Sequence, residues 1–244
     1  MAALLSTESR ERLGAVSAAT LTTCLFKRGL RNVFVQGGVH LINPEAPRLV
    51  GEAFTLRYIP AREDLDVLEA YADPEHPQRK AVETCPAGHV LVIDSRKDPR
   101  AASLGDILIA RLMVRGVAGV VTDGGFRDTP SIARLAFPAY HARPSAPLGP
   151  ILHHAADVQR PVACGDVAIY PGDVVVGDRE GVVVIPAHLA NEIAEEATAM
   201  TAYEDFVEAK VREGRPLPGL YPATAESRRE FESWQRGLAG GDVR

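Results

Sequence analysis

Two carboxylates and one guanidinium gather around two turns of this chain. Gly105-Asp106-Ile107-Leu108 opens a long apolar passage, and Asp123-Gly124-Gly125-Phe126-Arg127-Asp128 closes it. These residue types suit a divalent cation holding an oxo-acid. Asp128 is free to hold a hard cation, and an Arg127 fork binds a carboxylate through parallel hydrogen bonds. A helix start near Asp106 offers unpaired N–H groups and a positive dipole end to an anion. Magnesium keeps several waters and needs only one or two protein carboxylates, so Asp106 and Asp128 would suffice. Such a cation polarises the carbonyl of a 2-oxo acid and stabilises the enolate left by carbon–carbon cleavage or decarboxylation, with Arg127 on the carboxylate or the developing oxyanion. A plain structural reading stands beside this one: an acid in the first turn favours a helix, and Asp-Gly-Gly is common turn chemistry.

For these groups to meet, the elements between them must go out and come back. Residues 107–115 read as a helix, Gly116 as its stop, and Val117–Thr122 as a buried strand. A helix of about ten residues rises ~15 Å and about six strand residues cover ~20 Å, so the lengths roughly cancel. Arg127 and Asp128 are therefore expected near Asp106, at the carboxyl end of a strand, where open α/β layers collect ligands.

The rest of the chain narrows the chemistry. With 244 residues, 46% hydrophobic and 24% charged, it has the composition of an ordinary globular protein, and one main domain is expected. The net charge of −5 and scattered arginines give no basic field for nucleic acid. The first residues lack a basic, then apolar, leader, and no apolar run approaches a membrane span, so a cytoplasmic protein without membrane contact is expected. Cys24, Cys85 and Cys164 are isolated and read as buried, reduced thiols. There is no GxSxG elbow, P-loop, GxGxxG fingerprint or HExxH pair. The four lysines, Lys27, Lys80, Lys97 and Lys210, sit in polar segments unsuited to a Schiff base. The adjacent His153 and His154 would diverge on a strand, and His40, His76, His89, His141 and His188 have no ligand spacing, so all read as surface or turn residues.

Along the chain, Ser6 to Arg28 reads as one helix with Ala15, Val16, Ala19 and Thr20 on its packing face. Leu49–Pro60 and Val90–Asp94 read as strands, and Leu65–Ala72 as a short helix. Arg143–Pro147 reads as a rigid connecting loop that could shape specificity. Asp166–Pro186 reads as a compact β module whose Asp173 and Asp178 serve turns. His188–Val211 forms one long helix or two, Ser227–Arg236 a short charged one, and residues 240–244 a disordered tail.

On these residues the chain resembles the class II pyruvate aldolases called 4-hydroxy-4-methyl-2-oxoglutarate/4-carboxy-4-hydroxy-2-oxoadipate aldolases, with the related ribonuclease-activity regulator A-like proteins. The pattern is Gly-Asp, twenty residues, then Arg-Asp, here Gly105-Asp106 and Arg127-Asp128. Pro171-Gly172-Asp173, Gly177-Asp178 and Gly181–Pro186 follow, and the likeness spans roughly Val50 to Pro186. It implies an α/β fold, an α-β-β-α sandwich with a mixed central sheet of the swivelling β/β/α type. The core would be residues 1–186 with its N-terminal helix, and 187–244 a helical extension at a subunit interface. It also implies homotrimers or homohexamers with the site between subunits, and Mg²⁺ or Mn²⁺ held by Asp128. Backbone amides of Gly105, Asp106, Ile107 and Leu108 would cradle the substrate carboxylate, Arg127 would touch a substrate oxygen, and Asp106 would orient a water on the metal. The implied activity is metal-dependent lyase chemistry, retro-aldol cleavage or decarboxylation of a small-molecule 2-oxo (di)carboxylic acid. The alternatives are a sugar-acid dehydratase and a non-catalytic ribonuclease-binding regulator.

Departures from the family's pattern touch the substrate. Ala19-Thr20-Leu21 stands where many members carry Asp-Ala-Leu, and Asp73–Arg79 looks like an insertion near the pocket mouth. A glutamate from a neighbouring subunit's C-terminal helix reaches the aldolase site; Glu204 or Glu196 lies at that spacing, and either could equally be a solvated charge.

Overall fold

A computed structural model describes residues 5–240. Two helices, α1 (Thr7–Ala15) and α2 (Ala18–Lys27), lead to strands β1 (His40–Leu41) and β2 (Leu49–Pro60). A 3-10 turn over Leu68–Ala72 precedes α3 (Pro77–Thr84) and β3 (Val90–Asp94). The middle of the chain runs through β4 (Ala102–Leu104), α4 (Asp106–Val114), β5 (Gly119–Thr122), β6 (Gly125–Phe126), α5 (Thr129–Ile132), β7 (Ala139–His141) and β8 (Arg143–Pro144). After these come β9 (His153–Val158), β10 (Val162–Cys164), β11 (Val167–Ile169), β12 (Val174–Gly177), β13 (Val182–Ile185), α6 (Ala190–Arg212) and α7 (Ala225–Gly240).

The main sheet is mixed, in the order β1-β7-β5-β3-β2-β12-β13, with β9 also paired to β2. Its middle strands β2, β3, β5 and β7 are parallel neighbours, as the near-continuous apolar runs of β3 and β5 require of strands covered on both faces. The long β2 serves two partners on one edge: Leu49–Glu52 pair with β12 and Leu56–Pro60 with β9. Alternation along β2 and β3 sends Phe54, Leu56, Leu91 and Ile93 toward α3 and α4, and Ala53, Val90 and Val92 toward the β10–β11 hairpin. Helices α1, α2 and α6 cover β12 and β13 through Leu13, Leu21, Leu25, Ile193 and Ala197. Helices therefore flank a β interior, the expected α/β layering.

Several expectations are corrected. The first helix is two, because Ser17 caps a new start by accepting from the Thr20 N–H. Asp178 accepts from the Ala18 N–H at 2.8 Å and Arg48 donates to the Val16 carbonyl, so the break is satisfied from distant chain. The break turns Ala15 and Ala19 outward. The segment Asp166–Pro186 is not one module: β11 pairs with β10, while β12 and β13 join the main sheet. Arg143–Pro147 is no plain loop, since its first two residues form β8 beside β6. His141 and His153 are strand residues only 2% and 1% exposed, against the surface reading. His188–Val211 resolves into a single main helix, α6. All three cysteines are free and buried. Among the described residues no helix is long and apolar enough to cross a membrane. Residues 241–244 of the proposed tail lie outside the described residues.

Candidate active site

Three short parallel strands, β4, β6 and β8, form a small second sheet that builds the site. In β4 and β6, Ala102 lies opposite Gly125 and Leu104 opposite Phe126, so both strands end side by side. The chain leaving β4 turns into α4 at Gly105, and the chain leaving β6 continues as Arg127-Asp128. The Arg127 N–H donates to the Leu104 carbonyl at 3.1 Å, clasping the two exits together. The expected return is thus real but made differently: β5 goes to the main sheet, and the two-residue β6 brings Arg127 back.

The glycines here serve close approach. A Cβ on Gly124 would stand 2.6 Å from the Ser95 Cβ, and one on Gly125 2.6 Å from the Ser145 Cβ. Beneath them, the Ser95, Ser103 and Thr122 hydroxyls bond one another at 2.7–3.0 Å, and Thr122 Oγ1 accepts from the Gly124 N–H. The buried Asp123 carboxylate accepts from the backbone N–H groups of Ser95, Lys97 and Gly165, tying three loops to the floor. Burial pushes its pKa up, against the lowering pull of those hydrogen bonds.

Above this floor lies a cavity of about 430 Å³, lined by Gly105, Asp106, Ile107, Leu108, Arg127 and Asp128. All six residues singled out in the sequence therefore meet in one place. Gly105 precedes α4 with no capping side chain, which leaves the amides of Asp106, Ile107 and Leu108 without partners inside the helix. Asp128 sits at φ +57, a left-handed conformation that Asp tolerates better than most residues. Its Oδ2 accepts from Arg127 Nε at 3.1 Å, with both side chains about two-fifths exposed, at 38% and 40%. Among the described residues no three His, Cys, Asp or Glu side chains cluster as metal ligands. What the cavity can offer a metal is two carboxylates, Asp128 and Asp106. That sparse, all-oxygen set fits Mg²⁺ or Mn²⁺ completing its shell with water and substrate, and does not fit zinc.

The same cavity takes in residues the motif did not point to: Tyr71, Gln78 and Arg79, from the 3-10 turn and the start of α3. The apparent insertion Asp73–Arg79 does reach the pocket mouth. The two glutamates considered for a neighbouring subunit's site do not line this chain's own cavity. Glu196 is ion-paired within its own chain, to Lys27 at 3.3 Å and to Arg28. Glu204 accepts from the Thr20 hydroxyl at 3.4 Å, and both line a separate cavity between α2, α6 and α7.

Known proteins similar to this chain bear on its family and fold. A protein of Halalkalibacterium halodurans named "Putative 4-hydroxy-4-methyl-2-oxoglutarate aldolase" is 32% identical over 132 residues, 54% of this chain and 62% of its own length. The chain thus spans about six-tenths of that relative. The crystal structure of Streptomyces coelicolor RraAS2, described as an unusual member of the RNase ES inhibitor RraA protein family, superposes with a TM-score of 0.73 and 29% identity. That match covers 84% of this chain and 98% of the other. A structure from Pseudomonas syringae pv. tomato gives a TM-score of 0.77 at 24% identity over 90% of this chain and 95% of the other, which bears on the fold alone. The family model for RraA-like proteins, described as Aldolase/RraA, matches residues 16–184, taking in α2 as well as the span the motifs suggested, and the chain belongs to this family.

Proposed function

We propose that this protein is a divalent-metal-dependent lyase that breaks the C3–C4 bond of a 2-oxo acid and releases pyruvate or a close relative. One observation carries the reading: the paired ends of β4 and β6 set Arg127 and Asp128 against the open amides of α4 in a single cavity. The names of relatives as aldolases support the same chemistry.

The residues would divide the work as follows. The Ile107 and Leu108 amides, at the positive end of α4, hold the C1 carboxylate. Asp128, with Asp106 nearby, holds the cation, which when bound polarises the 2-oxo group and offsets enolate charge. Arg127 donates to the C2 oxygen, where negative charge develops. In the retro-aldol direction the C4 hydroxyl loses its proton, the C4–O bond becomes a carbonyl, and the C3–C4 electron pair passes into the pyruvate enolate. Asp106, through a water, moves that proton to C3. 4-Hydroxy-4-methyl-2-oxoglutarate then gives two pyruvates. Oxaloacetate, losing C4 as carbon dioxide, gives one through the same enolate. The exposed Leu68 and Ile107, 63% and 79%, on the cavity rim support cover by another copy, as a homotrimer or homohexamer.

Purified protein with Mg²⁺ is expected to release pyruvate from one of these acids, and Arg127→Ala to abolish release. No turnover on either acid, nor on a panel of related 2-oxo and sugar acids, would end the lyase reading; loss of water without carbon–carbon cleavage would make the enzyme a dehydratase. The likeness to RraAS2 favours one second reading, a regulator that binds a ribonuclease. Tight ribonuclease capture together with absent Mg²⁺ affinity would put it first.

A further inference from the structure

We propose that Arg79 is a specificity-determining residue of this cavity, binding a carboxylate at the end of the substrate remote from its 2-oxo group. The inference rests on the lyase reading for the identity of the near end, which Arg127 and the α4 amides hold. Arg79 lines the same cavity as Arg127. The two guanidinium groups differ in their company: Arg127 is paired with Asp128, whereas Arg79 has no carboxylate within 4 Å among the described residues. A half-buried cation facing a cavity without a counter-ion is an anion subsite in want of its anion.

Its neighbours hold it ready. Arg79 Nε donates to the Tyr71 carbonyl at 3.2 Å, and the guanidinium carbon stands 5.5 Å from the Tyr71 ring centroid. His76 packs against the same ring at 4.2 Å between centroids, so Tyr71 is fixed from two sides. With Nε engaged, the four N–H bonds on Nη1 and Nη2 remain for a ligand, the end-on fork that matches a carboxylate. The preceding residue anchors the element. Gln78 is buried, and its Nε2 donates to the Tyr58 hydroxyl and to the Ser103 carbonyl, both at 3.0 Å. Ser103 lies in β4, two residues before the Gly105 turn. The start of α3 is therefore tied to the strand that presents the near-end cradle, and the two ends of the cavity keep a set spacing. A neutral-tailed 2-oxo acid would leave Arg79 desolvated and unpaired, which discriminates more strongly than a missing contact alone.

Calorimetric titration with Mg²⁺ present tests this on two acids of the same chain length, 2-oxoglutarate and 2-oxopentanoate, which differ by the remote carboxylate. The wild type is expected to bind 2-oxoglutarate more tightly by roughly 10- to 100-fold, the range of one charge-assisted pair. Arg79→Met, which keeps an apolar stem against Tyr71, should remove most of that preference and leave 2-oxopentanoate within about twofold. Arg79→Lys should restore part of it. In turnover, Arg79→Met should raise KM for 4-hydroxy-4-methyl-2-oxoglutarate with little change in kcat, and spare 4-hydroxy-2-oxopentanoate. Arg127→Ala should weaken both acids alike. No preference in the wild type, or an equal loss for both acids in Arg79→Met, overturns the assignment. Absent turnover with an Arg79-dependent binding preference sinks the lyase reading and leaves the subsite standing.

Discussion

Gly105 and Asp128 approach so closely that a Cβ added to Gly105 would stand 3.1 Å from Asp128 Oδ2 and 3.0 Å from Arg127 Cγ. The backbone at Gly105, φ −120 and ψ 178, is open to any residue, so the glycine is there for the approach and not for the turn. Gly105→Ala should therefore fold normally while pushing the Arg127-Asp128 corner outward by a few tenths of an ångström. Because such a shift misplaces both the cation ligand and the substrate donor, kcat/KM should fall by about 10- to 100-fold. Thermal unfolding should move by less than about 1 kcal/mol equivalent. Full activity in this variant would show that the close approach is incidental.

Asp128 combines two properties that one substitution pair can separate. Its carboxylate lines the cavity, and its left-handed backbone suits Asp or Asn. Asp128→Asn should keep the stability within about 1 kcal/mol and lose Mg²⁺ binding by calorimetry, together with any Mg²⁺-dependent pyruvate release. Asp128→Ala should lose both and be less stable than Asp128→Asn by about 1 kcal/mol, the cost of a left-handed residue without a short polar side chain. Unchanged Mg²⁺ affinity in Asp128→Asn would remove this residue from the metal site.

How much of this could be read from the chain alone follows from which signals are local. The outward helix α4 and the strand β5 were legible because their apolar runs are long and Gly116, at φ +76, stops the helix between them. The Gly-Asp and Arg-Asp pairs were legible because both lie at element ends. What carries Arg127 back to Gly105 is the pairing of β6 with β4, and two residues of Gly-Phe have no periodicity to reveal a strand. The break at Ser17 has no complete local signal, because Asp178, 160 residues beyond Ala18, satisfies the new helix start. In the sequence Tyr71 belongs only to a short helix and Arg79 only to an apparent insertion; that both line the cavity goes with Gln78 reaching Ser103. His141 and His153 read as surface or turn residues because nothing local marks a histidine as buried.

Glu196 gives a prediction by exclusion. Its ion pairs with Lys27 and Arg28 fasten α6 to α2 and lower its pKa against the raising effect of burial. Within the single chain this carboxylate already has two cationic partners. Glu196→Gln should leave turnover within about twofold, and cost under about 1 kcal/mol because the pair is partly solvated. A tenfold or greater drop in kcat, with native stability, would instead place Glu196 in the chemistry.

His141 makes acid stability a local property of the site's floor. It lies opposite His40 across the β1–β7 pair, with ring centroids 4.9 Å apart, and packs at 5.7 Å on Phe126, the residue before Arg127. Burial, and then the charge of His40, pull its pKa down from 6.5 to about 4. In the unfolded chain it titrates near its ordinary value of about 6.5, so between there and about 4 the unfolded form binds a proton the folded form refuses. The stabilisation is therefore complete above about pH 6.5 and is lost as the pH falls toward 4, by about 3 kcal/mol at most. Among the described residues His141 Nδ1 is also buried without a partner, so His141→Leu removes an unsatisfied atom along with the titration. Urea unfolding should find the variant at least as stable near pH 7. Between about pH 7 and 4.5 it should lose less stability than the wild type, by roughly 1–3 kcal/mol. Parallel losses in the two proteins would show that the imidazole takes up its proton without unfolding this corner, and the coupling between His141 and the Phe126–Arg127 strand would then have to be abandoned.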